Sequence, residues 1–180
     1  PKKPHAQVEW QQVDLLKKND LTPLSRGCDA ILHMANLTKT DPAQDYEVAS
    51  QLVDGALANQ VRDFFYCSSI RVYGTALGVV DATTPANPHP QDIYAQKKLR
   101  TEKLLTEKFK GTSTRLRILR IGHVLSDSNV SRAPDRLSFK YLLFWGKTYP
   151  HYIDVQDATR AILYLLETRE RLKFPVYNIT

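Results

Sequence analysis

Cysteine, glycine and long apolar runs are all scarce in this 180-residue chain, and each scarcity excludes something. Cys28 and Cys67 are the two cysteines, widely separated and each set in an apolar segment. They exclude a disulfide framework and read as small buried residues of a reducing, cytoplasmic compartment. The seven glycines nowhere form a Gly-x-Gly-x-x-Gly or Gly-x-x-Gly-x-x-Gly turn. No apolar run approaches the roughly 18 residues that a membrane helix needs, and no signal peptide is visible, so a membrane is not expected as a partner. His5, His33, His89, His123 and His151 lack paired ligand spacing, which argues against a metal site. A Gly-x-Ser-x-Gly elbow is also missing, which removes the serine-hydrolase reading.

What is present is an ordinary globular composition with a mild positive excess, 25 Lys and Arg against 19 Asp and Glu. The basic residues are dispersed. Their densest cluster, 97–110, is interleaved with Glu102 and Glu107, as a solvated helix face would be. Nucleic acid is therefore not the expected partner, whereas a small anionic ligand such as a dinucleotide or a sugar nucleotide accounts for the excess. The length suits one domain over 1–180.

Apolar strand patterns alternate with helical ones, which predicts βαβ units and a parallel sheet. Strands are expected at 8–13, 30–34, 64–67 and 115–121. Helices are expected at 45–59, with Val48, Leu52, Val53 and Ala56 inward, and at 91–109, stopped by Gly111. A third, over 155–168, carries Ala158, Ala161, Ile162, Leu165 and Leu166 on one side. Residues 126–150 are the least regular stretch.

Of the nine tyrosines only Tyr94 has a lysine at the fourth following position, Lys98. On a helix the two lie one turn apart on one face. The ammonium could then favour the ionised phenol and lower a pKa that starts near ~10. Upstream, the apolar run Phe64, Phe65, Tyr66, Cys67 reads as a buried strand with Ser68 and Ser69 at its carboxyl end, where open α/β sheets place their sites. A hydroxyl such as that of Ser69 could hold a substrate oxygen beside the phenol. Ser68 reads as structural or as lining a cofactor, and Lys97 as a surface residue. A Tyr, a Lys and a Ser so placed are the parts of a hydride-transfer site.

The run from Phe64 through Cys67, Ser68, Ser69, Ile70, Arg71, Val72 and Tyr73 to Gly74, then Tyr94 and Lys98, resembles the signature of the extended short-chain dehydrogenase/reductases, the NAD-dependent epimerase/dehydratase group. Further matches follow in the family's order: Val13-Asp14-Leu15; Cys28 to Ala35, similar to its Asp-x-Val-x-His-x-Ala strand; Leu119 to Val124; Tyr152 to Ala158; and Val176 to Ile179. The resemblance implies an α/β fold, a doubly wound parallel sheet of Rossmann type. It also implies an epimerase, dehydratase or reductase that uses NAD or NADP on a hydroxyl or carbonyl of a small molecule, with a nucleotide sugar as leading substrate. Tyr94, Lys98 and Ser69 take the catalytic positions. Asp14, Leu15, Met34, Ala35, Cys67, Tyr94, Lys98 and Ile121 take cofactor-binding ones, and 126–150 falls on the substrate side. The helices 45–59 and 91–109 would carry a homodimer seam, with Leu57, Leu99, Leu105 and Phe109 as its apolar residues.

Three departures accompany the resemblance. The family opens with a strand, a glycine-rich turn and a helix that grips the cofactor pyrophosphate; this sequence begins at Pro1, ahead of what would be the third strand. The sheet is accordingly expected to be N-terminally incomplete, with no neighbour for 8–13, and the chain to be a piece of a longer protein. The alternative is a non-catalytic regulator or scaffold that has lost the phosphate-gripping turn; retention of Ser69, Tyr94 and Lys98 together argues against it. Tyr46 and His123 stand where many family members carry Asn.

Overall fold

The strand Asp63–Ser69 (β2) is buried at every position, because it is covered on both faces. Successive strand residues point to opposite sides. Phe64 and Tyr66 accordingly join Val53, Ala56, Leu105 and Phe109 in one apolar cluster, while Phe65 and Cys67 join Leu119, Ile162, Leu165 and Ile179 in another. The computed structural model describes residues 8–15, 20–36, 42–75, 78–126 and 151–180.

Around β2 lie Ala30–His33 (β1), Arg115–Ile121 (β3) and Val176–Ile179, which is β6 because two short strands, His123–Leu125 (β4) and Tyr152–Asp154 (β5), precede it. The main sheet has the order β1-β2-β3-β6 with all pairs parallel, and β4 pairs with β5 separately. Helices Pro42–Ala58 (α1) and Ile93–Phe109 (α2) supply the first cluster, and Val155–Glu167 (α3) the second. This is the doubly wound α/β arrangement expected, with β1 as an edge of the sheet among the described residues.

Local chemistry sets the helix ends. Asp92 caps α2 by accepting from the Ala95 N–H at 3.0 Å. Past its other end Gly111 takes a φ of 74°, a left-handed conformation suited to a residue without a Cβ. Asp154 caps α3 in the same way, and Ala158, Ile162 and Leu165 are its buried stripe.

Several expectations are corrected. Residues 8–13 form no strand, and Val8 and Trp10 are exposed; among the described residues no strand runs beside them, and a lone strand leaves its backbone groups unpaired. Cys28 is exposed rather than buried, because β1 begins two residues later, at Ala30. Glu102 is not on a solvated face but buried, and Lys97 pairs with Asp45 across α2 and α1, its side chain largely covered. Leu105 and Phe109, expected at a dimer seam, are 0 % and 5 % exposed, because α1 and α2 pack side by side on one sheet face and these residues fill the space beneath. Leu57 packs against the same cluster. Of the stretch 126–150, all but Ser126 lies outside the described residues.

Candidate active site

The carboxyl end of β2 and the first turns of α2 meet through side chains rather than through backbone. Lys98 is buried, and its Nζ donates to the Cys67 carbonyl at 2.8 Å. Its ammonium stands 4.9 Å from the ring centroid of Tyr66 and 5.9 Å from that of Tyr94. Ser69 ends β2 and, on its way into the 3-10 turn Ile70–Tyr73, accepts the Arg71 N–H on its side chain at 3.3 Å. The same hydroxyl lies close enough to the Tyr94 phenol to favour its ionised form. Gly74 closes the turn at a φ of 64°, where any Cβ would run into the Asn87 carbonyl. Only glycine lets the loop before α2 lie this close to the serine turn.

The structure therefore brings Ser69, Tyr94, Lys98 and Cys67 together. Ile121 lies opposite Ser69 in the β2–β3 register. Ala35 lines a small cavity with Lys98, His33, Asp45, Val48, Tyr66 and Thr101, just past the carboxyl end of β1. Met34 beside it is exposed. Asp14 and Leu15 lie in irregular backbone upstream, joined to the sheet by no strand, with Asp14 exposed.

Electrostatics differ from the expectation in one respect. Burial pushes the Tyr94 phenol above its ordinary value; the nearby Ser69 hydroxyl and the Arg71 charge pull against that rise, and Asp92 and Cys67 add to it. The spacing of Lys98 predicts a lowered value; burial outweighs the favourable influences on the phenol instead. Burial likewise lowers the Lys98 ammonium itself, against the opposing influence of Cys67 and Asp45. It pushes the Cys67 thiol up to about 11, which keeps it neutral and unreactive at physiological pH.

His33 is held down to about 4, first by burial and then by the Lys98 charge, against Asp45. Above 6.5 the imidazole is neutral both folded and unfolded, so it makes no difference to stability there. As pH falls from 6.5 to about 4 the unfolded chain takes up a proton that the folded one refuses. Stability should drop across that window by on the order of 3 kcal/mol. Urea denaturation at a series of pH values checks this: His33→Gln should flatten that part of the profile, and an identical slope in both proteins would refute it.

Two groups of residues escaped the sequence reading. The first is a buried network: Ser68 Oγ donates to Glu102 Oε1 at 2.5 Å, and Arg120 donates to both Glu102 oxygens at 3.2 and 2.7 Å. The Arg120 guanidinium lies 4.7 Å from the Tyr73 ring centroid, and the Tyr73 hydroxyl is 2.8 Å from Asn178 Oδ1. Glu102 follows Lys98 by four residues, as Lys98 follows Tyr94, so all three share one face of α2. The arginines set among apolar residues in 115–121 were the other available signal, since a buried guanidinium requires a partner. The second group is Arg71 with Asp92, bonded at 2.9 and 2.8 Å.

A model of the NAD dependent epimerase/dehydratase family matches residues 1–180. Protein YeeZ of Escherichia coli strain K12 is 29% identical over 147 residues, which cover 77% of this chain and 48% of that protein. Among solved structures, UDP-glucuronic acid 4-epimerase from Bacillus cereus, in complex with UDP-glucuronic acid and NAD, superposes with a TM-score of 0.76. It is 22% identical and the match covers 93% of this chain and 58% of that one. The DesIV double mutant, a dTDP-glucose 4,6-dehydratase from Streptomyces venezuelae with NAD and DAU bound, gives 0.70 at 19% identity, over 93% and 56% of the two chains. The chain thus spans about half the length of the curated relative and under two thirds of these structures.

Proposed function

The chain belongs to the NAD dependent epimerase/dehydratase family, and from that premise we propose that it carries the catalytic part of an NAD- or NADP-dependent epimerase, dehydratase or reductase. Its substrate is a small molecule with a reacting hydroxyl or carbonyl, a nucleotide sugar before others, as in the Bacillus cereus enzyme. The observation that supports this best is the meeting of Ser69, Tyr94 and Lys98 at the carboxyl end of a central parallel strand.

The residues present fit the nicotinamide half of such a cofactor. A buried amine and a half-buried phenol share one helix face, and the exposed Met34-Ala35 segment lies beside them past the end of β1. Lys98, Tyr94, Cys67, Ile121, Met34 and Ala35 would line that half; Asp14 and Leu15 belong to the adenine side of this reading. When bound, the dinucleotide accepts and returns a hydride. The Tyr94 phenolate takes the substrate hydroxyl proton and gives it back. Ser69 donates a hydrogen bond to the reacting oxygen, and Lys98 offers its ammonium to ribose hydroxyls. The reading takes 1–180 as one domain. A cytoplasmic homodimer through the outer faces of α1 and α2 completes the reading, with Leu99 rather than Leu105 available to its seam.

Calorimetric titration of the full-length protein with NAD and with NADP tests the cofactor assignment. Binding of one of them at micromolar to millimolar concentration is expected; no heat with either would count against it.

A further inference from the structure

Arg71 is placed over the tyrosine by a carboxylate that has a second task. Asp92 Oδ1 caps α2, and its Oδ2 receives two nitrogens of the Arg71 guanidinium. One side chain therefore fixes both the start of the helix and a cation over that helix's second residue. The Arg71 Cζ lies 5.2 Å from the Tyr94 ring centroid, nearer than the Lys98 ammonium at 5.9 Å. The Arg71 backbone N–H also holds the Ser69 hydroxyl, so the residue touches both ends of the Ser69–Tyr94 pair.

The groups that face the phenol can be named from each element packed on it. Cys67 and Ser69 come from β2, as does Tyr66, Arg71 from the turn, and Asp92 and Lys98 from α2. Lys98 stands 5.9 Å from the ring centroid while donating to the Cys67 carbonyl. Arg71 is the nearer of the two cations. A planar guanidinium gripped by a carboxylate can stack on an aromatic face in a way that an ammonium cannot.

We propose that Arg71, clamped by Asp92 over the Tyr94 ring, is a positioning residue that stabilises the ionised phenol during proton transfer. The inference rests on the reading of Tyr94 as the proton-transfer group. Arg71 thereby adds a second cation beside the phenol to the one that Lys98 supplies.

Its test is a pH titration of the full-length protein labelled with [13Cζ]tyrosine, the Tyr94 resonance being assigned by its absence in Tyr94→Phe. Removing the cation in Arg71→Met should raise the Tyr94 midpoint by about one pH unit. Arg71→Lys should give a smaller rise, and the pH at which turnover reaches half its maximum should move with the resonance. Because the Arg71 side chain is 58% exposed, neither variant is expected to disturb folding. An unmoved or lowered midpoint in Arg71→Met overturns the proposal. A raised midpoint together with full turnover in Tyr94→Phe would uphold the electrostatic pairing and remove the enzymatic reading instead.

Discussion

Replacing Tyr94 by Phe is expected to cut turnover by roughly 10²–10⁴-fold while leaving the fold and dinucleotide binding intact. Phe retains the ring that stacks against Arg71 and faces Lys98, so the packing at the start of α2 is preserved. What disappears is the hydroxyl that meets Ser69, the one group here able to exchange a proton with substrate. Neither neighbour can substitute: burial keeps the Cys67 thiol neutral against the pull of Lys98, burial and the Lys98 charge together keep the His33 imidazole neutral, and both are enclosed. Steady-state kinetics with a nucleotide sugar, alongside calorimetric NAD binding, would check the split. A variant with near-normal turnover would sink the assignment of Tyr94, whatever the substrate.

Truncating Glu102 to Ala should destabilise the protein by about 3–5 kcal/mol, among the largest losses a single substitution can cause. The carboxylate is the counter-charge of Arg120, and both side chains are almost wholly enclosed, at 5% and 8% exposure. Its loss leaves a guanidinium in the interior without compensation and also removes the acceptor of the Ser68 hydroxyl. The cause is the unpaired charge and not the loss of a favourable contact, so removing both charges should be far milder. Urea denaturation distinguishes the two. Glu102→Met combined with Arg120→Met should recover most of the stability lost in Glu102→Ala, because an apolar pair of similar volume replaces a buried ion pair at little cost. A double variant as unstable as the single one would show that packing, not charge, sets the effect. Ser68 precedes Ser69, so the network also underlies the strand end on which the site is built.

Patterns that depend on near neighbours were legible in the sequence. The parallel strands, the helices with their inward stripes, and the place of Ser69 at a strand end all follow from periods of two and of three to four residues. The failures share one cause: each depended on what another part of the chain supplies. Residues 8–13 have the composition of a strand, but a strand exists only if a second one pairs with it. Leu105 and Phe109 have an apolar face whose cover, α1 and the sheet, is set by how α1 and α2 pack together. Glu102 looks like a solvent charge until Arg120, 18 residues later, is brought against it. The spacing of Tyr94 and Lys98 correctly placed them on one helix face, but direction is not given by spacing. The nearby Cys67 carbonyl took a hydrogen bond of the ammonium, and Asp92 held a second cation, Arg71, over the ring. By itself, then, the sequence determined the α/β class and which residues converge at the strand ends, since both are properties of local periodicity. Which cation faces the phenol, and which charges are buried, was decided by the tertiary structure, because hydrogen-bond direction and desolvation depend on partners distant in the chain.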